Sequence, residues 1–252
     1  MIDTHCHLTD ERLLTQLPDV LARAEAAGVT RMITIGTTPG DARAAIALCM
    51  GRPNLRCAVG VHPNHSHEVA LEDLPILREL QDHVSVVALG EMGLDYHWDF
   101  APRERQRRCF EFQLALATEL NRPVVIHCRE ATDDCLGVMR GFPKVRAVFH
   151  CFTGSPGEAE RILAQGYLLG YTGAATFKRN DALREAVRLT PLDRLLVETD
   201  APYMTPEPMR KQKVNEPALV VQVAEVVARE KKMSYAEFDK VVMKNAAEFF
   251  GW

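Results

Sequence analysis

Residues 103–127 read RERQRRCFEFQLALATELNRPVVIH and contain the repeating unit from which the fold is predicted. Arg103 to Leu120 has the apolar spacing of an amphipathic helix, and Pro123 to His127 has the composition of a short buried strand. A helix that leads into a strand of this kind is half of a β–α–β unit, in which the strands are parallel. The stretch therefore predicts an α/β fold with helices packed over a parallel sheet.

The same alternation of strand and helix extends in both directions along the chain. The predicted strands are Ile2 to His7, Arg31 to Gly36, Leu55 to Val61, Val84 to Glu91, Pro123 to His127, Val145 to His150, Tyr167 to Thr172 and Leu195 to Asp200. The other predicted helices are Leu17 to Ala27, Ala42 to Met50, Pro156 to Gln165, Ala182 to Leu189, Pro217 to Lys231 and Tyr235 to Phe250. Eight such strands are enough to close a TIM (β/α)8 barrel, here with an extra C-terminal helix; an open doubly wound sheet is the alternative.

Local signals fix some helix ends, and nothing in the chain marks a domain boundary. Ser155 with Glu158, and Ser234 with Glu237, have the spacing of capping boxes, which predicts helix starts there.

No composition shift or flexible linker divides the chain, and a barrel typically needs about 250 residues. We therefore expect one domain over residues 1–252.

The composition limits the cellular compartment and the kinds of binding partner that we expect. The chain is 47% hydrophobic and 25% charged, as ordinary globular proteins are. It shows no signal peptide or membrane-spanning stretch, and its seven cysteines suit a reducing compartment, so we expect the cytoplasm and no membrane contact. With a net charge of −4, the chain as a whole lacks the basic footprint expected of a protein that wraps duplex nucleic acid, so we expect any nucleic acid substrate to bind locally. No obligate protein partner is evident.

Residues of the metal-ligand type occur where the predicted strands end. The candidate ligands are His5, His7, Glu91, His127, His150 and Asp200. In a barrel these ends converge on one face, and side-chain alternation places His5 and His7 on one side of their strand with Cys6 on the other. A lone histidine at a strand end is more often structural, but repetition on five strands favours a metal site. Six N and O donors suit two divalent ions, with Zn, Mn, Co or Fe fitting better than Mg.

Further polar residues lie near the same strand ends. We expect His62 and Arg129 to bind substrate, although a structural hydrogen bond or ion pair is the alternative for each. Glu198 is two residues before Asp200 and should point inward one layer deeper, in a supporting role. Arg210, Lys211 and Lys213 form either a solvated basic loop or a weak electrostatic guide for an anionic polymer.

Seven stretches of the chain together resemble one known family. They are IDTHCHL from Ile2, GVHP from Gly60, ALGEMGLDY from Ala88, PVVIHCRE from Pro123, HCFTG from His150, LLVETDAPY from Leu195 and NEPA from Asn215. In this order they resemble the TatD family of metal-dependent hydrolases in the amidohydrolase superfamily, many of which are deoxyribonucleases. The resemblance covers nearly the whole chain. One departure is Val214, which stands where the family commonly has an arginine, and it puts any substrate contact of that arginine in doubt.

The resemblance implies a TIM barrel whose six ligands hold two divalent ions, with Glu91 shared between them and His62 near the scissile phosphate. It also implies hydrolysis of phosphodiester bonds in DNA from the 3′ end, and a barrel mouth suits single-stranded or frayed ends. We expect Asp200 and Glu91 to be catalytic, with Asp200 deprotonating a metal-activated water.

Other functions remain open on the residues alone. An amidohydrolase for a small C–N substrate could use the same His-x-His site, although many of those enzymes carry a carbamylated lysine where this chain has Glu91. A phosphatase of the polymerase-and-histidinol-phosphatase type would need more ligands. A catalytically silent barrel would have no use for a complete ligand set.

Overall fold

The computed structural model describes residues 1–252 and contains the predicted alternation of strands and helices. The strands are β1 (Ile2–Cys6), β2 (Arg31–Gly36), β3 (Leu55–Val59), β4 (Val86–Asp95), β5 (Val124–Arg129), β6 (Ala147–Phe149), β7 (Leu168–Tyr171) and β8 (Leu195–Val197). The helices are α1 (Glu11–Leu14), α2 (Leu17–Ala26), α3 (Pro39–Cys49), α4 (Ile76–Gln81), α5 (Arg103–Leu120), α6 (Thr132–Met139), α7 (Pro156–Leu163), α8 (Asp181–Leu189), α9 (Val220–Glu230) and α10 (Tyr235–Phe250).

The strands follow one another in a single eight-stranded sheet, in the order β1 to β8. Neighbours such as β4 and β5 pair in parallel, with Gly93 opposite His127. A parallel bridge between Cys6 and Ala201 places the end of β1 beside the segment that follows β8. Sequential order, parallel pairing and this last contact are those of a TIM (β/α)8 barrel, so the predicted fold is confirmed and the open sheet is excluded.

Contacts divide the chain into two compact units. One comprises residues 1–34 and 151–252, and the other comprises residues 35–150. The expectation of a single domain over residues 1–252 stays a prediction. No helix combines the length and apolar composition that a membrane span requires.

The strands have the burial that parallel strands covered by helices require. All ten residues of β4 are buried, as are all five of β1. Phe110 and Leu114 of α5 are fully buried as well. The site residues of these strands lie in their carboxyl-terminal halves, His5 in β1 and Glu91 and Asp95 in β4.

Helix starts follow the capping signals. Ser155 and Ser234 accept hydrogen bonds from the backbone N–H groups of Glu158 and Glu237, and both glutamates bond back, so both capping boxes are confirmed. The short helices α1, α4 and α6 are absent from the predicted set. Each has four to eight residues, too few for a clear apolar period, and α6 has Gly137 in its interior.

Strand ends differ from prediction in a way that matters for the site. Strand β4 continues four residues past Glu91 to Asp95, whereas β8 ends at Val197, three residues before Asp200. Asp200 instead adopts a left-handed backbone with φ 56°, which aspartate tolerates better than most residues. The candidate ligands therefore come from strands and from the loops that follow them.

Candidate metal centre

The first unit brings together three of the predicted ligands. His5 and His7 face each other through their Nε2 atoms, 3.3 Å apart. Asp200 Oδ1 lies 3.3 Å from Nε2 of His7 and 3.7 Å from Nε2 of His5. Cys6, between the two histidines, is buried and its thiol donates to the carbonyl of Ile33 instead. The alternation of β1 thus makes a cluster of two imidazoles and one carboxylate, which we call the first cluster.

Buried hydrogen bonds hold the first cluster in place. The carboxylate of Asp3 accepts the N–H of His5 at 3.3 Å, the N–H of Thr199 at 2.9 Å and the hydroxyl of Thr199 at 2.5 Å. The N–H of Asp200 donates to the carbonyl of His5 at 2.9 Å. Because one side chain binds the backbone beside both His5 and Asp200, Asp3 sets the distance between these ligands. Burial raises the pKa of Asp3 to about 8, against the opposing effect of its bonds to Thr199.

The second unit brings together three more predicted ligands around one carboxylate. Glu91 Oε1 lies 2.6 Å from Nε2 of His150 and 2.8 Å from Nδ1 of His127. The two histidine nitrogens are 3.4 Å apart. Glu91 is 2% exposed, so this group, which we call the second cluster, lies in a nearly dry environment. Two imidazoles and one buried carboxylate converge there on one point.

Asp95 belongs beside the second cluster, and the sequence prediction missed it. Its Oδ2 atom lies 2.9 Å from Nε2 of His127, the ring nitrogen that faces away from Glu91. Burial would raise the pKa of Asp95, but the hydrogen bond and charge of His127 lower it to about 2. The sequence contains a signal for Asp95, because Glu91, Gly93 and Asp95 are alternate residues of one strand and so share one side of it. The predicted strand ended at Glu91, so Asp95 was not among the candidate ligands.

Two glutamines on α5 fix the backbone around the second cluster. Gln113 accepts the N–H of Val61 at 2.8 Å and donates to its carbonyl at 3.1 Å. Gln106, two turns earlier on the same helix face, accepts the N–H of Asp95 at 2.8 Å and donates to its carbonyl at 3.0 Å. Each side-chain amide makes the two hydrogen bonds that a neighbouring strand would make, so these buried backbone N–H and carbonyl groups are paired. They hold His62 and Asp95 where the strands end.

The hydrogen bonds of His62 indicate a proton donor. Its Nδ1 accepts the N–H of Asn64 at 3.0 Å, while its Nε2 lies 3.4 Å from Glu91 Oε1. Burial lowers the pKa of His62 to about 4, so the ring is neutral at neutral pH. A neutral imidazole that accepts at Nδ1 carries its proton on Nε2. His62 is therefore arranged to donate a hydrogen bond, although it stands close enough to Glu91 and His127 to be grouped with them as a ligand.

Glycine is required where β4 passes the second cluster. Gly93 has φ 142°, and a Cβ atom built on it would overlap the carbonyl oxygen of His127. The backbones of β4 and β5 therefore approach here more closely than a side chain at position 93 would allow, two residues before Asp95 and its contact with His127.

The predicted basic contacts are exposed, whereas Glu198 is buried. Arg129 lies with its guanidinium carbon 5.7 Å from the centre of the Trp98 ring. Arg210 stacks on Phe177 at 3.8 Å, and Lys211 and Lys213 are exposed in the same loop. Glu198 is buried and its carboxylate accepts the N–H of Cys151 at 2.5 Å and the hydroxyl of Thr4 at 3.2 Å. The supporting role expected for Glu198 stays a prediction.

The donor sets of both clusters fit a divalent cation. Each offers imidazole nitrogens and a carboxylate oxygen, the donors that zinc and its neighbours in the first transition series accept. In the second cluster, Asp95 holds the far nitrogen of His127, which leaves Nδ1 directed at Glu91. A carboxylate behind a ligating histidine is the usual device that fixes the tautomer and orientation of the ring.

Comparisons with known proteins agree with this chemistry. The family model described as TatD related DNase matches residues 2–251. A Bacillus subtilis protein named uncharacterized metal-dependent hydrolase YabD is 39% identical, covering 99% of this chain and 98% of its own. The Pantoea vagans protein named 3'-5' ssDNA/RNA exonuclease TatD is 39% identical, covering 99% of each chain. The crystal structure of YJJV, a TatD homolog from Escherichia coli K12, has a TM-score of 0.94 at 30% identity, covering 100% of this chain and 98% of that one.

Proposed function

The chain belongs to the TatD-related DNase family and is a metal-dependent hydrolase, and from this premise we propose that it removes nucleotides from the 3′ end of single-stranded DNA. The observation that carries the proposal is the second cluster: a buried carboxylate, Glu91, between His127 and His150, with His62 beside it as a donor. The Pantoea vagans relative bears a name for this reaction on single-stranded DNA and RNA.

We propose that His5, His7, Glu91, His127, His150 and Asp200 hold two divalent ions. His5, His7 and Asp200 supply one ligand group, and Glu91, His127 and His150 supply the other. Glu91 as a ligand shared between the ions follows from the family resemblance and is part of the proposal. The donors favour Zn, Mn, Co or Fe over Mg, which prefers oxygen ligands.

Ions held by these residues would supply Lewis acidity to an attacking water and to the phosphoryl group. The protein residues have separate tasks around that chemistry. As the bond from the water oxygen to phosphorus forms, the bond from phosphorus to the leaving 3′ oxygen breaks. Asp200 accepts the proton of the water, and the leaving oxygen takes up a proton to become a 3′ hydroxyl. His62 donates its Nε2 proton in a hydrogen bond to a non-bridging phosphate oxygen. Asp95 orients His127, so its effect on the reaction is indirect.

His62 is suited to this task because of its protonation state. Its neutral ring keeps the Nε2 proton at neutral pH, so it does not depend on titration to remain a donor. The N–H of Asn64 fixes the tautomer, and Gln113 fixes the preceding residue, Val61. A preorganised donor of this kind stabilises charge that develops on the phosphate in the transition state.

We propose that residues 1–252 act as one domain, since the family match runs through both compact units. No disulfide bond joins any of the seven cysteines, which supports a cytoplasmic location.

The test is a direct assay with oligonucleotides labelled at the 5′ end. Four substrates of one sequence are compared: single-stranded DNA, blunt duplex, duplex with a 3′ overhang, and RNA. We expect a ladder of products shortened from the 3′ end of single strands and overhangs, little cleavage of blunt duplex, and none after chelation. Cleavage inside the duplex would refute the end-directed mechanism, and hydrolysis of amides without hydrolysis of DNA would favour a C–N hydrolase.

A further inference from the structure

Two exposed aromatic side chains lie in the loop between β4 and α5. Trp98 is 48% exposed and Phe100 is 59% exposed, and their ring centres are 5.7 Å apart. Large apolar side chains that are exposed singly need no explanation, but two adjacent aromatic rings form a small surface. We call Trp98, Phe100 and Arg129 the aromatic patch.

The aromatic patch is attached to the second cluster through Asp95. The Oδ1 atom of Asp95 accepts the N–H of His97 at 3.0 Å and the N–H of Trp98 at 3.1 Å, while Oδ2 contacts His127. The N–H of Tyr96 donates to the carbonyl of Arg129 at 2.9 Å. One carboxylate therefore positions a candidate metal ligand and the base of the exposed loop together.

Arg129 gives the patch an available cation, beside the exposed carboxylate of Asp99 in the loop. The guanidinium of Arg129 is exposed, takes part in no hydrogen bond or ion pair, and has the Trp98 ring as its neighbour. Two nearby carboxylates are already engaged, since Glu130 pairs with His97 at 2.7 Å and Asp134 accepts the hydroxyl of Tyr96 at 2.8 Å. An unpaired cation beside exposed rings combines the two features by which proteins bind single-stranded nucleic acid, namely base stacking and phosphate neutralisation.

We propose that Trp98 and Phe100 form a stacking subsite for an unpaired base of the nucleic acid substrate, with Arg129 on an adjoining phosphate. This rests on the proposed function and adds to it the side chains that select single strands. A base offers its face to a protein ring only when it is not stacked within a duplex. The subsite therefore gives a reason for a single-strand preference, which the proposed action of the two ligand clusters on phosphate does not supply.

The chain offers a direct spectroscopic test, because it has two tryptophans, Trp98 and Trp252. Trp252→Phe in an Asp200→Asn background leaves Trp98 as the sole source of indole fluorescence without turnover of the ligand. We expect a ten-nucleotide thymidine oligomer to quench this fluorescence, and an abasic oligomer of equal length and charge to quench it far less. Equal quenching by both oligomers, or none by either, would overturn the stacking subsite.

Kinetics with substitutions give an independent measure. Removal of one stacked base contact typically changes binding by about tenfold or more, so Trp98→Ala should raise KM for the thymidine oligomer about tenfold and abolish the preference over the abasic oligomer. Trp98→Phe keeps a ring and should retain most of the preference, and Phe100→Leu keeps apolar volume and should lose part of it. The matched control, Trp252→Phe, alters a tryptophan that lies in the other unit beside Arg31.

The outcomes separate the subsite from the proposed function. If the wild type hydrolyses no oligonucleotide with any metal, the nuclease proposal fails, while the fluorescence experiment still decides whether Trp98 stacks on bases. If the wild type hydrolyses the oligomer and Trp98→Ala keeps the same KM and the same base preference, the nuclease proposal stands and the subsite is wrong. Quenching by an apolar peptide but by no oligonucleotide would assign the patch to a protein partner and overturn the proposal.

Discussion

The Oδ2 atom of Asp95 lies 2.9 Å from Nε2 of His127, while Nδ1 of the same ring lies 2.8 Å from Glu91. The imidazole is thus held at both edges by buried carboxylates. Burial would lower the pKa of His127, but the bonds to Asp95 and Glu91 raise it to about 8. These two contacts oppose rotation of the ring and exchange of its two nitrogens, and they keep Nδ1 directed at Glu91.

Removal of the Asp95 carboxylate should weaken metal binding without removing a ligand. Loss of the group that orients a ligating histidine typically costs about 10- to 100-fold in metal affinity or activity, so Asp95→Ala should fall in that range. Asp95→Asn keeps an acceptor oxygen and should lose less. Metal affinity is measured by calorimetric titration, with Asp99→Asn as the control because that exposed aspartate lies outside both clusters. Unchanged affinity in Asp95→Ala would show that His127 needs no orienting group.

The carboxylates of Glu91 and Asp200 should respond differently to neutralisation. Glu91→Gln replaces the buried anion that both His127 and His150 approach, so the variant should bind less metal. Asp200→Asn should keep more metal and still lose turnover, because an amide cannot accept the proton of the attacking water. Bound metal and rate are measured on the same preparation of each variant. Equal metal loss in the two variants would remove the separate catalytic role of Asp200.

Binding to single-stranded DNA should depend only moderately on salt. Each neutralised phosphate contributes about −0.7 to the slope of log affinity against log salt, so two to four phosphates give a slope of about −1.5 to −3. The small number follows from the net charge of −4 and from a contact set limited to the clusters, His62 and Arg129. A salt titration with the Asp200→Asn variant measures it. A slope near −6 would reveal an extended basic track and contradict this local footprint.

Asp3 should make the stability of the metal-free protein fall as pH rises. Its folded-state pKa of about 8 lies above the usual value of 3.8, so between these values the folded state binds more protons than the unfolded one. The free energy of unfolding contributed by this group then decreases from about pH 4 through pH 8. Asp3→Asn resembles the protonated form and should remove that part of the slope. Urea unfolding of both proteins with chelator, at pH 5 and pH 8, tests this, and parallel pH profiles would contradict the assignment.

The fold was predictable because it depends on the repeated alternation of apolar strands and amphipathic helices. Parts of the site depend instead on distances between particular side chains, which this alternation does not specify. Apolar runs alternating with amphipathic segments gave the strand order, and alternation in β1 gave the pairing of His5 with His7. Asp95 was missed because β4 continues past Glu91 through Gly93, and glycine in the interior of a strand ordinarily weakens it. The proton position on His62 depends on the N–H of Asn64, a contact within a loop that has no signature in composition.

Gly93 also limits how this site can be changed by engineering or drift. Even alanine at that position would collide with the backbone of His127 and not with a movable side chain, so repacking of neighbours offers no compensation. A saturation library at position 93 should return glycine alone among active clones, whereas replacements at Trp98 and Phe100 should leave enzymes that are active but have an altered preference for substrate. Selection for new substrates would thus change residues of that loop, while the distance between β4 and β5 at Gly93 stays the same.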